Sequence, residues 1–193
     1  MDYTKCELFT KYNMFTDDTV MTLATKYAID NGIEYKDAYQ LFGKKYPDAG
    51  YGTMFNQWLH SADPQPYHSF GNGSAMRCSY IGERYNKEET VMEQAKKSAE
   101  CTHNHPEGIK GAVTTAVCIY MARTGASKEE IMKYAAKQYP KTETNFCPEY
   151  KLDTYRNRYH FNETCQGSVP VAIRCFLESE DCQPPTTYRS GGL

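Results

Sequence analysis

Basic residues are not in excess in this chain of 193 residues: 22 Lys and Arg stand against 24 Asp and Glu, for a formal net charge of −2 at pH 7. Binding to a nucleic-acid backbone depends on clustered Lys and Arg, so nucleic acid is not expected as a partner. No segment approaches the ~18 apolar residues of a membrane-spanning helix, and the residues after Met1 lack the apolar core of a signal peptide. The sequence predicts a cytoplasmic protein without a membrane partner.

Pairs of cysteines at zinc-ligand spacing are also absent. The chain has eight cysteines but no Cys-x-x-Cys motif, which argues against a structural zinc site. Cys118 and Cys175 lie in apolar segments with helical spacing, where a free thiol behaves as a small hydrophobic side chain. We interpret the cysteines as reduced thiols, as is usual in the cytoplasm.

Strand-like alternation of apolar and polar residues is not found either, so the predicted fold class is all-α. The segment 106–123 is apolar around nearly its whole circumference and is expected to be the central buried helix, whereas 141–166 is expected to be irregular. A single domain over 1–181 and an irregular tail at 182–193 are expected. The other predicted helices cover 19–29, 35–46 and 53–59, follow capping boxes at 86–89 and 127–130, and begin near Pro170.

Two adjacent carboxylates open the first predicted helix, in the sequence Thr16-Asp17-Asp18. Such residues often cap a helix and interact favourably with its dipole. Capping uses one side chain, however, and a second carboxylate beside it is typical of a site for Mg²⁺ or another hard cation. The residues alone leave both interpretations open.

A loop with two glycines runs from Gly71 to Arg77 and leads into a short predicted helix. Glycine lets backbone amides approach a phosphate closely, and a helix start favours an anion. A tight turn followed by an Asn72 cap explains the same residues.

A polar junction, Cys101-Thr102-His103-Asn104-His105, precedes the central helix. The two histidines could bind a metal, and a Cys-His pair could act as nucleophile and base. A junction that satisfies the ends of two helices is the simpler explanation.

Taken in order, four segments of the chain resemble the signature segments of the ADP-ribosylglycohydrolase family, the dinitrogenase-reductase-activating type of ADP-ribosyl hydrolase. The resemblance runs from about Thr4 to Asp181. The four segments are Phe15–Ala24, Gly71–Arg77, Thr102–Ala112 and Gln166–Pro170.

This resemblance implies an orthogonal bundle of helices with a cleft for ADP-ribose and a magnesium or manganese centre beneath the ribose. Family members hydrolyse the bond at the anomeric carbon, so the expected partner is ADP-ribose or an ADP-ribosylated protein or small molecule. By the resemblance, Thr16, Asp17 and Asp18 would bind the metal, and one of the two aspartates would also handle the proton of the attacking water. The implied substrate-binding residues are Gly52, Gly71, Asn72, Gly73, Ser74, Ala75, Met76 and His103.

The sequence departs from the family at two places. The family's opening apolar segment with Gly-Asp and its closing helix with Gly-Gly-Asp-x-Asp-Thr are not found. Mg²⁺ or Mn²⁺ is therefore expected to bind weakly, because three side chains cannot complete an octahedral site. Three interpretations stay open: a metal-dependent ADP-ribosyl glycohydrolase, a catalytically inactive protein that binds ADP-ribose or a related nucleotide, and a truncated gene product. Uncovered apolar faces on 19–29 and 106–123 would favour self-association.

Overall fold

The computed structural model describes residues 11–142, 146–155 and 159–179. These residues form helices and connecting loops, and among them the only strand-like pairing is one isolated bridge between Gly71 and Thr164. The all-α prediction is therefore confirmed. The helices are α1 (Asp17–Asn31), α2 (Tyr35–Lys45), α3 (Thr53–His60), α4 (Gly73–Met76), α5 (Ser79–Arg84), α6 (Glu88–Glu100), α7 (Pro106–Arg123), α8 (Lys128–Gln138), α9 (Leu152–Tyr155) and α10 (Cys165–Glu178).

Helix α7 lies at the centre of the bundle, as its apolar circumference predicts. Pro106 occupies its first turn, where a missing backbone N–H costs no hydrogen bond. Helices α4, α5, α6, α8 and α10 all pack against it. Helix α5 approaches so closely that a Cβ on Gly82 would overlap the carbonyl oxygen of Ala116.

Two hydrophobic clusters share α7. The larger is built from α1, α2, α3, α5 and α6 and includes the fully buried Met21, Tyr39 and Leu59. The smaller joins α8 and α10 to the other side of α7 through Ile131 and Val169. Because both clusters use α7, this helix fixes the two sides of the molecule relative to each other.

The start of α10 differs from the prediction. The helix begins at Cys165, because the Thr164 hydroxyl caps it by accepting a hydrogen bond from the Gly167 amide at 3.1 Å. Pro170, predicted as the start, lies inside the helix, where it removes one backbone hydrogen bond. The segment 141–166, predicted as irregular, also contains the short helix α9.

The two predicted capping boxes have different outcomes. The box at 127–130 is confirmed: the Glu130 amide donates to the Ser127 hydroxyl at 3.2 Å, and the Ser127 amide donates to the Glu130 carboxylate at 2.8 Å. The box at 86–89 is wrong. Helix α6 has Lys87 as its N-cap residue without a side-chain cap, because the Asn86 side chain instead accepts a hydrogen bond from Arg123 at 3.1 Å.

The predicted helices at 19–29, 35–46 and 53–59 are present, with ends shifted by one or two residues. Exposed Leu23 and Tyr27 on α1 form part of the predicted uncovered apolar surface, and self-association stays a prediction. The six described cysteines are free thiols, whereas Cys6 and the predicted tail at 182–193 lie outside the described residues. None of the described helices combines the length and apolar character needed to cross a bilayer.

Candidate functional site

An open cleft of about 960 Å³ runs from the start of α1 across the glycine loop to the outer faces of α7 and α10. It brings together segments that are far apart in sequence. Thr16 and Ser74 are the predicted site residues that do not line it. Those that do are Asp17, Asp18, Gly52, Gly71, Asn72, Gly73, Ala75, Met76 and His103.

The start of α1 is not held by side-chain capping. Thr16 is the N-cap residue, but its hydroxyl makes no capping hydrogen bond and instead donates to the Asp18 carboxylate at 3.1 Å. The Asp17 amide donates to the carbonyl oxygen of Ala49 at 2.7 Å, so the loop after α2 satisfies this end of the helix. Both carboxylates line the cleft, and Asp18 also accepts the hydrogen bond from Thr16.

Asp17 is half-buried, and burial, reinforced by the neighbouring charge of Asp18, raises its pKa. Tyr51 lies close by: burial and the Asp17 charge raise its pKa to about 12, and its buried hydroxyl has no hydrogen-bond partner among the described residues. A cation beside Asp17 and Asp18 would offset the repulsion between the two carboxylates.

The oxygen donors at the start of α1 fit a hard divalent cation by type. They are fewer than such an ion takes, since the described residues contain no group of three or more His, Cys, Asp or Glu able to hold a metal. The start of α1 thus offers at most three oxygen-bearing side chains, of which Asp17 and Asp18 line the cleft.

The glycine loop is fixed from behind by the segment that leads into α10. The Asn72 amide donates to the carbonyl oxygen of Glu163 at 2.7 Å, and the Cys165 amide donates to that of Phe70 at 2.9 Å. The amides of Gly73 and Ser74 open α4 and donate to no acceptor in the described part of the chain. Gly73 lines the cleft, whereas Ser74 is fully buried, so the Gly73 amide is the one of the two that remains free for a ligand.

Two side chains of the loop have structural partners. The Asn72 amide group donates to the Ser168 hydroxyl at 3.2 Å and does not cap α4. Ser74 is fully buried, and its hydroxyl donates to the carbonyl oxygen of Gly108 at 2.7 Å. Ser74 thus ties α4 to α7 and does not line the cleft.

His103 is buried at the back of the glycine loop. Its Nδ1 lies 2.7 Å from the Thr102 hydroxyl. A Cβ on Gly73 would lie 3.1 Å from Nε2, and one on Gly71 would lie 3.6 Å from it, so the two glycines let the ring edge approach the loop. Burial, together with the charge of Arg77, lowers the pKa of His103 to about 3. The ring is therefore neutral at physiological pH.

The other interpretations of the junction at 101–105 are not supported. Burial raises the pKa of the Cys101 thiol, whose Sγ donates to the carbonyl oxygen of Ser98 at 3.3 Å, so it does not form a nucleophile–base pair with His103. His105 accepts a hydrogen bond from the Glu107 amide at 3.0 Å and caps α7. His105 therefore has the junction role that the simpler explanation assigned.

Arg77 is the main residue of the site that the residue-by-residue reasoning missed. Its side chain is 1% exposed, yet Arg77 lines the cleft. Its Nη2 donates to the carbonyl oxygen of Ser98 at 2.6 Å and to the Thr102 hydroxyl at 2.8 Å. The guanidinium carbon lies 4.1 Å from the centre of the Tyr39 ring. An arginine directly after Ala75 and Met76 is a weak signal for burial, because its partners come from other helices.

The far end of the cleft is apolar. Ile119 on α7 and Val169, Ile173 and Phe176 on α10 line it. The sequence contains no local signal that these helix faces share one cleft with Asp17.

The all-α bundle places an acidic helix start, a glycine loop and a neutral histidine around one cleft. A model of the ADP-ribosylglycohydrolase family matches residues 2–190, and the chain belongs to that family.

Curated relatives include the ADP-ribosylhydrolase ARH3 of Mus musculus, which is 32% identical over 227 aligned positions, covering 91% of this chain and 61% of the relative. The ARH3 of Bos taurus is 31% identical, over 91% of this chain and 62% of the relative. The ARH3 of Danio rerio is 26% identical, over 93% of this chain and 62% of the relative. The chain thus spans about three fifths of the length of these relatives.

Proposed function

We propose that this chain binds ADP-ribose in the cleft and hydrolyses the bond between the anomeric carbon and the acceptor in an ADP-ribosylated protein or small molecule, with Mg²⁺ or Mn²⁺. The observation that carries the proposal is the convergence of Asp17, Asp18, the glycine loop and His103 on one cleft. The relatives that are named ADP-ribosylhydrolases support the same reaction.

In the proposed complex the glycine loop holds the diphosphate and the adjoining ribose. The free amide of Gly73 donates to a phosphate oxygen, and a mildly acidic protein can hold an anion through backbone amides without surface lysines. Gly52 also lines the cleft, at a position where a Cβ would meet no atom within 4 Å.

Asp17 and Asp18 are the proposed catalytic residues. Cleavage at an anomeric carbon passes through an oxocarbenium-like state, which a nearby carboxylate stabilises. Water forms a bond to the anomeric carbon as the bond to the acceptor breaks. One carboxylate accepts the proton of this water and passes it to the departing acceptor, while the other remains charged beside the sugar. A bound divalent metal would orient the water and the ribose hydroxyls, and Thr16, Asp17 and Asp18 are the residues that would hold it.

The test combines an ADP-ribose titration with a turnover assay on ADP-ribosylated arginine in the presence of Mg²⁺ or Mn²⁺. We expect binding by the wild type and loss of turnover in Asp17→Asn and Asp18→Asn. The matched control is Asp37→Asn, which removes a carboxylate from the first turn of α2, away from the cleft.

Full activity in both Asp17→Asn and Asp18→Asn would remove these residues from the mechanism. Binding of ADP-ribose without turnover of any acceptor would contradict the hydrolase and establish the inactive nucleotide-binding protein instead.

A further inference from the structure

The buried positive charge of Arg77 lies next to the cleft, and no carboxylate among the described residues forms an ion pair with it. The Arg77 guanidinium donates from Nη2 to Ser98 and Thr102, but its buried Nε has no partner in the described part of the chain. Burying an ion without a counter-ion is costly. The packing of this guanidinium on the Tyr39 ring offsets only part of that cost.

Several helices hold Arg77 in place. Tyr39 on α2 lies beneath the guanidinium, and the Tyr39 hydroxyl lies 2.7 Å from the Ser98 hydroxyl on α6 and 3.0 Å from the Thr25 hydroxyl on α1. All four side chains are fully or almost fully buried. The guanidinium therefore cannot turn away from Thr102 without repacking the core.

The direction of the hydrogen bonds at Thr102 follows from Arg77. A guanidinium only donates, so the Thr102 hydroxyl oxygen accepts from Arg77 at 2.8 Å. The hydroxyl has one proton left to give. His103 Nδ1 at 2.7 Å is a far better acceptor for it than the carbonyl oxygen of Ala99 at 3.5 Å.

If Nδ1 accepts from Thr102, then the single ring proton of the neutral His103 lies on Nε2. This nitrogen is on the edge of the ring that faces Gly71 and Gly73. A hydrogen-bond donor is thus directed at the glycine loop, where the oxygens of a bound ligand would lie.

We propose that Arg77 and Thr102 are positioning residues, which hold the His103 proton on Nε2 so that this nitrogen donates to an oxygen of bound ADP-ribose. The ligand in this inference rests on the proposed function, whereas the position of the proton does not. The chain from Arg77 through Thr102 to His103 also polarises each hydrogen bond in the same direction, so that the buried charge strengthens the donor at Nε2.

The position of the proton is tested directly by nitrogen NMR at pH 7 on chain labelled with ¹⁵N-histidine. The chain has five histidines, and the His103 signals are identified by their loss in His103→Gln. We expect Nε2 of His103 to resonate as a protonated ring nitrogen and Nδ1 as an unprotonated one. A proton on Nδ1 in the wild type overturns the inference, whether or not ADP-ribose binds.

The role of Thr102 is tested by two matched variants. Thr102→Ser keeps the hydroxyl, and we expect it to retain the wild-type tautomer and an ADP-ribose Kd within about threefold of the wild type. Thr102→Val keeps the shape but removes the hydroxyl. We expect it to give a mixture of tautomers and to raise the Kd about tenfold, as is usual for a lost hydrogen bond to a charged ligand.

A folded Thr102→Val with wild-type tautomer and Kd would contradict the inference. If Thr102→Val does not fold, as circular dichroism would show, the nitrogen NMR spectrum of the wild type and the Thr102→Ser variant still decide the inference. A wild type with the proton on Nε2 but no affinity for ADP-ribose would overturn the proposed function, and with it the ligand, while the hydrogen-bond chain would stand.

Discussion

His103 makes the stability of the fold sensitive to mild acid. Its ring is buried, and burial together with Arg77 lowers its pKa from 6.5 to about 3. Between these two values the unfolded chain binds a proton that the folded chain does not, so stability falls as the pH is lowered through this window.

The size of the effect follows from the width of the window. One pH unit corresponds to about 1.4 kcal/mol for a single proton. Lowering the pH from 7 to 5 should therefore remove about 2 kcal/mol of the free energy of unfolding through His103 alone. For a chain of this size that loss lowers Tm by roughly 4–8 °C.

The measurement is urea unfolding at several pH values between 7 and 5 for the wild type and His103→Gln. Carboxylates contribute equally to the pH dependence of both proteins. The difference between the two slopes of unfolding free energy against pH therefore isolates the contribution of His103. We expect the variant to lose about 2 kcal/mol less than the wild type over this range. His60→Gln is the matched control because water solvates this exposed ring in the folded chain. If the wild type and His103→Gln lose the same unfolding free energy between pH 7 and pH 5, then His103 does not make the fold sensitive to acid.

Three further predictions concern single substitutions. In the absence of divalent metal, Asp17→Asn should stabilise the chain at pH 7, by no more than about 1 kcal/mol because the side chain is partly solvated. Burial and Asp18 raise the pKa of Asp17, so the gain should vanish as the pH falls below the ordinary aspartate pKa of 3.8. Chemical unfolding at pH 7 and pH 3 checks this. Gly82→Ala should lower the free energy of unfolding by about 1–3 kcal/mol, because the new Cβ overlaps the Ala116 carbonyl oxygen. Gly52→Ala, which has open space at its Cβ, should lower it much less, as urea unfolding of both variants would show. ADP-ribose at a hundredfold excess over Kd should stabilise the wild type by about 2.7 kcal/mol and so raise its melting temperature. Gly73→Val should abolish this rise, because the new side chain would meet the His103 ring. An unchanged rise in the variant would contradict the placement of the ligand.

The parts of the fold that the sequence predicted well are those with strong local signals. Pro106 begins α7, and the helix ends just before Gly125, as predicted. The start of α10 shows how such signals compete. Pro170 is a typical first residue of a helix, but Thr164 makes the cap, and Pro170 lies buried inside the helix.

The candidate site was predictable only as separate segments. The glycine loop and His103 stand out in the sequence, and the cleft contains both. The role of Arg77 depends on Tyr39 and Ser98, which lie 38 and 21 residues away on other helices. No local pattern encodes such a contact, because a buried arginine and an exposed one look the same in sequence.

The bridge between Gly71 and Thr164 has a consequence for how the chain folds during synthesis. The Gly71 carbonyl oxygen also accepts from the Cys165 thiol, 94 residues further along the chain. A nascent chain that has emerged only as far as α8 can form the larger cluster, but its glycine loop still lacks the backing of residues 163–165. We therefore expect the cleft to be completed only after α10 has emerged from the ribosome. We also expect a ligand that occupies the cleft to favour the docked state of α10 and to slow hydrogen exchange at the amides that open this helix.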